Sequence, residues 1–184
     1  MRSKAELSST KTILIREQGG WRYHSGCANP SDFNMKIDVV ELQIRKSHTI
    51  DIPGADRKIY GVESAGPIFC QSIGSCNIEY VAMLSLDSTN KAINYLTISM
   101  GRINSVKVSL SQLFRAALLS NASKIIVAHN HPSGVLSITN EDIEMTKKIA
   151  FLAKYFDIEL IDSLVVSGDN AISIREYSGE MKHE

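Results

Sequence analysis

The sequence has few of the features that mark secreted, membrane or nucleic-acid-binding chains. Its three cysteines, Cys27, Cys70 and Cys76, include no Cys-x-x-Cys pair and form no recognisable zinc or redox motif. Twenty basic and 20 acidic residues leave no net charge, and so no general attraction for nucleic acid. No apolar run is long enough to span a membrane, and the start MRSKAELSSTK lacks a signal-peptide core. We therefore expect a cytoplasmic protein with buried free thiols.

What the composition does provide is enough apolar material for a core. The chain has 184 residues, 43% of them hydrophobic, which suits one domain with an appendage. Residues 1–60 form the expected appendage, a small β-rich extension. Strands are predicted at 11–17, at Trp21-Arg22-Tyr23 as the return of a hairpin, at 39–44 and at 49–52.

The rest of the chain alternates between the two periodicities of strands and helices. The predicted elements are a helix at 61–74 with Pro67 in its first turn, strands at 77–86 and 92–100, a helix at 109–121, a strand at 124–128, a helix after Thr139, and strands at 158–166 and 171–176. The helix after Thr139 is expected to bury Met145, Ile149, Leu152 and Phe156. This order predicts an α/β fold with a mixed β-sheet flanked by helices, followed by a disordered tail at 180–184.

The most informative stretch runs from Ile125 to Asp142, with the letters IIVAHNHPSGVLSITNED. Alternate residues of a strand face the same side, so His129 and His131 would point together, with α-carbons about 6.5–7 Å apart. A Gly-containing turn can bring Asp142 back toward them. Two histidines and one aspartate leave the fourth tetrahedral position to water, as in a catalytic zinc site.

Each part of this pattern also has a purely structural interpretation. Two histidines at the end of a strand are often surface or capped residues. Thr139 and Asp142 have the spacing of a helix N-cap with an acid at the third helical position, close to a capping box. Capping does not exclude metal binding, and His-x-His-Pro-Ser-Gly followed by Thr-x-x-Asp is far more specific than its parts.

This combination resembles the metal-binding motif of the JAB/MPN (JAMM) metalloproteases, and most closely their RadC-like branch. The similarity covers residues 61–179, including the segments LSLDSTNKA and IELIDSLVVSG. The chain departs from the family pattern in having Thr139 in place of a serine, and Ser163 after Asp162 in place of a histidine. The helix-hairpin-helix module that relatives carry upstream is not expected here, although Ile52-Pro53-Gly54-Ala55 is faintly similar to its hairpin.

The resemblance implies a JAB/MPN fold, similar to cytidine deaminases, and one zinc ion per chain on His129, His131 and Asp142. It also implies a glutamate upstream as general base, for which Glu79 is favoured and Glu63 is the alternative. Thr139 takes the place of the family serine that donates to the oxyanion. Deamination itself is not indicated, because the chain lacks the His-x-Glu and Pro-Cys-x-x-Cys motifs of zinc deaminases.

The function implied is that of a zinc metallopeptidase or isopeptidase acting on a peptide or protein substrate. The first alternative is a RadC-type protein of DNA repair or mobile DNA that acts by binding DNA or a partner. A neutral total charge is compatible with a local DNA-binding patch but does not indicate one. The second alternative is a domain in which a metal only stabilises the fold. No membrane partner is expected, and the sequence specifies neither the substrate nor the oligomeric state.

Overall fold

The computed structural model describes residues 13–17, 20–24, 37–41, 43–51, 58–101 and 109–179. The chain divides into two compact units, Met1–Glu41 and Leu42–Glu184. Within the described ranges, no helix is long and apolar enough to cross a membrane. The predicted tail at 180–184 and the segment Ile52-Pro53-Gly54-Ala55 lie outside the described residues. The predicted boundary at residue 60 stays a prediction.

The first unit contains an antiparallel hairpin. Strand β1, Ile13–Glu17, pairs with β2, Gly20–His24, and the register places Ile13 opposite His24. This confirms the strand and the returning hairpin predicted from the alternation of apolar and polar residues beside a Gly-Gly turn.

The strands predicted over 39–44 and 49–52 are wrong for the described residues of both ranges, which form neither strand nor helix. Val39 and Val40 are 97% and 77% exposed. Apolar β-branched residues favour a strand, but a strand also needs a neighbour that receives its backbone hydrogen bonds and covers one of its faces. Among the described residues, neither segment pairs with a neighbouring strand.

The second unit is built on a five-stranded mixed sheet in the order β4-β3-β5-β6-β7. The strands are β3, Glu79–Leu86; β4, Ala92–Gly101; β5, Lys124–Asn130; β6, Glu159–Ser167; and β7, Asn170–Ser173. β5 and β6 are parallel, and the other neighbours are antiparallel. The predicted mixed sheet is confirmed.

Helices cover both faces of this sheet. They are α1, Val62–Phe69; α2, Leu110–Leu119; α3, Asn140–Lys154; and α4, Ile174–Ser178. On one side, which we call the α1 face, the buried core includes Phe69, Leu84, Ile126 and Leu164. On the other, the α3 face, it includes Met83, Leu113, Val127 and Ile149, with α2 and α3 packed over it. Because side chains alternate along a strand, consecutive residues within β3, and likewise within β5, belong to opposite faces of the sheet.

The helix predicted at 61–74 forms, but Pro67 lies inside α1 and not in its first turn, because α1 already begins at Val62. The helix continues as a π-helical turn, Cys70–Gly74. Gly74 is required there, since a Cβ atom would lie 2.1 Å from the carbonyl oxygen of Gly168. The backbone N–H of Gly168 donates to the Gly74 carbonyl at 2.8 Å, which joins this turn to the loop between β6 and β7.

Two predictions near the helices need correction. The strand expected over 171–176 ends at Ser173, because the Ser173 hydroxyl accepts from the Glu176 N–H and caps α4. Phe156, expected in the core, lies beyond the end of α3 and is 42% exposed. It contacts the ring of Phe114 at a centroid distance of 5.0 Å. The burial of Ile149 in α3 is confirmed.

Candidate metal centre

His129 and His131 come together at the end of β5. His129 is within the strand and His131 follows it directly. Their Nε2 atoms lie 3.1 Å apart, as the alternation of side chains along a strand predicts. The His129 side chain is 13% exposed, so this end of the sheet is partly open to solvent.

Asp142 reaches the same point from the first turn of α3. The chain leaves His131 through a tight turn in which the Gly134 N–H donates to the His131 carbonyl, and Gly134 has a left-handed φ of 80°. The Asp142 Oδ1 atom lies 3.1 Å from His129 Nε2. All three candidate ligand atoms lie within 4.8 Å of one another. Across the described part of the chain, this is the group of three His, Cys, Asp or Glu side chains placed to hold a metal ion.

The geometry fits a metal ion. Ligand atoms about 2.05 Å from a tetrahedral zinc are separated by roughly 3.3 Å, close to both observed separations of 3.1 Å. His131 Nδ1 lies 3.1 Å from the Val135 carbonyl oxygen. A ring N–H donating to that carbonyl would fix the tautomer and leave the Nε2 lone pair for a metal.

Asp142 is held as a carboxylate anion. Partial burial raises the pKa of Asp142, but the hydrogen bond and charge interaction with His129, together with bonds from Thr139, outweigh burial and lower the pKa to about 2. A metal ligand must be deprotonated, so an anion at neutral pH suits this role.

Thr139 orients that anion. The structure contains the full capping box: the Thr139 hydroxyl accepts from the Asp142 N–H, and Asp142 accepts in return from the Thr139 N–H. The Thr139 N–H and hydroxyl both donate to Asp142 Oδ2 at 2.8 Å. Oδ2 is therefore committed to the helix cap, while Oδ1 faces His129. Because a hydroxyl has a single proton, donation to Asp142 competes with the oxyanion contact predicted for Thr139.

The two candidate general bases lie on different faces of the sheet. Glu79 is the half-buried first residue of β3. Val81 is paired with His129, so alternation along β3 places Glu79 on the His129 side. Glu63 is exposed on α1, which packs against the opposite face. This placement favours Glu79; the catalytic role itself stays a prediction.

The remaining sequence candidates that the structure describes lie outside the centre. Cys70 is buried and Cys76 half-buried, both as free thiols, while Cys27 falls outside the described residues. Asp162 is buried on the α1 face, where its Oδ1 accepts from the Ser173 hydroxyl and the Ser163 N–H. The Asp162 carboxylate therefore lies on the opposite side of the sheet from His129. Ser163, which departs from the family pattern, is paired with Val127 and so belongs to the α3 face.

Two residues next to the candidate ligands were given no role by sequence reasoning. Val135 contributes only its carbonyl, for which no sequence signal exists. Asn130, between the two histidines, is completely buried and hydrogen-bonded. An amide inside an otherwise apolar strand was the available signal, because a buried amide needs partners.

Comparison with known proteins places the centre in a family. A family model described as a RadC-like JAB domain matches residues 59–180. A UPF0758 protein of Finegoldia magna is 39% identical over 114 residues, which are 62% of this chain and 51% of that protein. A UPF0758 protein of Chloroflexus aggregans is 24% identical over 172 residues, 89% of this chain and 75% of the relative. The chain spans about half the length of several curated relatives that it matches. Because the family match covers well over half of the sequence and includes the whole metal centre, the chain belongs to the family of RadC-like JAB domains.

Proposed function

We propose that this chain is a zinc-dependent hydrolase of amide bonds, a metallopeptidase or isopeptidase whose substrate is a peptide or protein. The observation that carries the proposal is the convergence of His129, His131 and Asp142 at a partly open end of the sheet. Glu79 begins the neighbouring strand on the same face. A metal triad with a further carboxylate on the same face of the sheet supports hydrolysis by an activated water.

Zinc is the metal that suits the donor set. Two imidazole nitrogens and one carboxylate oxygen leave one tetrahedral position for water, whereas structural zinc sites use four protein ligands. A zinc ion held by these three residues would lower the pKa of a bound water toward about 7 and polarise the substrate carbonyl.

Glu79 then acts as general base and general acid. Its carboxylate takes the proton of the attacking water and returns it to the amine as the C–N bond breaks. A general base of this kind typically contributes about 10²–10⁴-fold in rate. Because Glu79 is not among the three candidate ligands, its role is separable from metal binding.

Thr139 contributes through Asp142. Its two bonds to Oδ2 hold the carboxylate with Oδ1 toward His129, which is the supporting role that outer partners of metal ligands play. We propose this orientation as its main contribution. The oxyanion contact implied by the resemblance would require the hydroxyl to leave Asp142 during the reaction.

A zinc-dependent cleavage screen tests this function. The protein, purified without chelator or nickel resin, is offered peptide and isopeptide substrates. We expect cleavage that a chelator abolishes and added zinc restores, and that is lost in the His129→Ala, His131→Ala double variant together with the metal. Retention of the full zinc content in that variant would show that His129 and His131 do not bind the metal. Salt-dependent DNA binding without any cleavage would instead support the DNA-repair alternative.

A further inference from the structure

Asn130 occupies an unusual position for an amide. It is the last residue of β5, between His129 and His131, and it is 0% exposed. Alternation along the strand separates its side chain from the two histidines, so it is not a candidate ligand. A fully buried amide is retained only where its donors and acceptor find partners.

All of its described partners lie within residues 76–80, which include the end of the segment before β3 and the first two residues of that strand. The Asn130 side-chain nitrogen donates to the carbonyls of Cys76 and Ile78 at 3.2 and 3.1 Å. Its side-chain oxygen accepts from the Tyr80 N–H at 2.6 Å. One side chain therefore ties together three backbone groups at the start of the strand.

These bonds continue the sheet beyond the point where backbone pairing stops. The register between β3 and β5 ends at the pair Val81–His129. Past that pair, the Asn130 amide offers a donor and an acceptor as a peptide group would. It binds the carbonyl of Ile78 and the N–H of Tyr80, the residues on either side of Glu79. The backbone of Glu79 is thereby held from both ends.

We propose that Asn130 is a positioning residue, which fixes the Glu79 carboxylate relative to the metal ligands of the adjoining strand. This inference rests on the proposed function, since it assigns Asn130 to the same reaction. One amide between the two histidines then couples the strand that carries the ligands to the strand that carries the base. Without it, residues 76–80 lose their shared anchor to β5, and only the pairing of the first residues of β3 with β4 remains. His129 stays in a β5 that is still paired on both sides, and His131 directly follows that strand.

Asn130→Ala tests the proposal, with Asn94→Ala as the matched control. Asn94 is likewise a hydrogen-bonded amide of the sheet, but it is half-buried and binds Ser120 at the end of α2. For Asn130→Ala we expect zinc affinity to change by well under 10-fold, and turnover to fall on the order of 10²-fold, the usual result of a small misplacement of a catalytic group. In a Glu79→Gln background, Asn130→Ala should cause little further loss of turnover, because both changes remove the same contribution, that of a correctly placed Glu79 carboxylate. Asn94→Ala should leave turnover near wild type.

Two readouts need no substrate. The Tyr80 amide should be protected from hydrogen exchange in the wild type and should exchange about 10-fold faster or more in Asn130→Ala. With Co²⁺ bound in place of zinc, the paramagnetic shifts of the Glu79 side-chain protons should change in Asn130→Ala and stay unchanged in Asn94→Ala. If Asn130→Ala does not fold, Asn130→Asp keeps the acceptor for the Tyr80 N–H but loses both donated bonds. It should therefore change the Glu79 shifts while the Tyr80 amide stays protected.

Several results would overturn the inference. These are an unprotected Tyr80 amide in the wild type, unchanged Glu79 shifts in both Asn130 variants, or an equal loss of turnover with and without Glu79. If the wild type cleaves no amide, the proposed hydrolase function fails. The exchange and Co²⁺ measurements would still decide whether Asn130 places Glu79.

Discussion

The two faces of the sheet carry matched pairs of acidic residues in contrasting surroundings. The α3 face has Glu79 and Asp142, and the α1 face has Glu63 and Asp162. Asp142 lies beside His129, and that contact together with bonds from Thr139 lowers its pKa to about 2 in spite of partial burial. Burial raises the pKa of Asp162, and the bonds from Ser173 and Ser163 offset this only in part, while the charge of Glu176 adds to the rise.

The difference between Asp142 and Asp162 shows that the hydrogen-bond and charge partners of a buried carboxylate, and not burial alone, decide the direction in which its pKa moves. An imidazole and a capping threonine keep Asp142 ionised and leave one oxygen directed at two histidines. Asp162 has the Ser173 hydroxyl and the backbone N–H groups of Ser163 and Arg175 as partners. This contrast supports the proposal that the α3 face carries the chemistry, and it suits Asp162 to a structural role.

The largest expected difference between the faces concerns the two glutamates. Glu79→Gln should lower turnover by about 10²–10⁴-fold, because an amide of nearly the same shape does not accept the proton of water at neutral pH. Folding and zinc content should stay close to wild type. Glu63→Gln, on the other face, is the matched control and should leave turnover unchanged in a steady-state assay. Loss of activity in Glu63→Gln alone would show that the wrong acid has been assigned.

Changing Thr139 should disturb the α3 face by a smaller amount. Thr139→Ala removes the hydroxyl that holds Asp142, so zinc affinity should fall by about 10–100-fold and stability by about 1 kcal/mol. Thr139→Ser keeps the hydroxyl and should resemble wild type in both respects. Competition with a chromophoric chelator measures the affinity, and denaturant unfolding measures the stability. Turnover of Thr139→Ala at saturating zinc tests whether the hydroxyl also contacts the oxyanion. A loss of roughly 10²-fold that remains when the zinc site is full would identify that contact.

Asp162→Asn tests the pKa of the buried carboxylate through the pH dependence of stability. A raised pKa in the folded state means that Asp162 favours folding most below its unfolded pKa, and that this contribution is lost as pH rises through the folded value. The free energy of unfolding of the variant, relative to wild type, should therefore increase as pH rises from the unfolded to the folded pKa of Asp162. The slope is at most about 1.4 kcal/mol per pH unit.

Asp87→Asn provides a control of opposite sign. Asp87 is an exposed turn residue whose pKa is lowered by hydrogen bonds from the Lys91 N–H and from Thr89. Its contribution to stability is present above the unfolded pKa and is lost as pH falls through the folded one. Relative to wild type, the variant should therefore lose stability as pH rises. Urea denaturation between pH 3 and pH 7, at about six values, would show both trends, and parallel curves for the two variants would contradict the assignment.

Much of the α3 face could be predicted from sequence because its signals are local. The alternation of His129 and His131 and the Thr139–Asp142 spacing are set by strand and helix geometry within a few residues. The order of strands and helices also followed from periodicity. Even the structural alternative for Asp142 proved compatible with metal binding, since one oxygen caps the helix and the other faces His129.

Features set by tertiary contacts could not be predicted. Residues 39–41 have strand-like composition but pair with none of the strands in the described part of the chain. Ser173 ends β7 by capping a helix only five residues long. The role of Asn130 depends on a segment 50 to 54 positions away in the chain. The role of such a residue can be assigned only when its partners in the folded structure are known.

The zinc content of two matched aspartate variants tests the central claim most directly. Asp142→Asn and Asp162→Asn each replace a carboxylate of the same unit with an amide of nearly equal size, on opposite faces of the sheet. After purification without chelator or nickel resin, elemental analysis should find about one zinc per chain in the wild type and in Asp162→Asn. Asp142→Asn should retain little or none, because a neutral amide oxygen is a far weaker ligand for zinc than a carboxylate. Full zinc content in Asp142→Asn, or loss of zinc in a folded Asp162→Asn, would contradict the assignment of the metal centre to the α3 face.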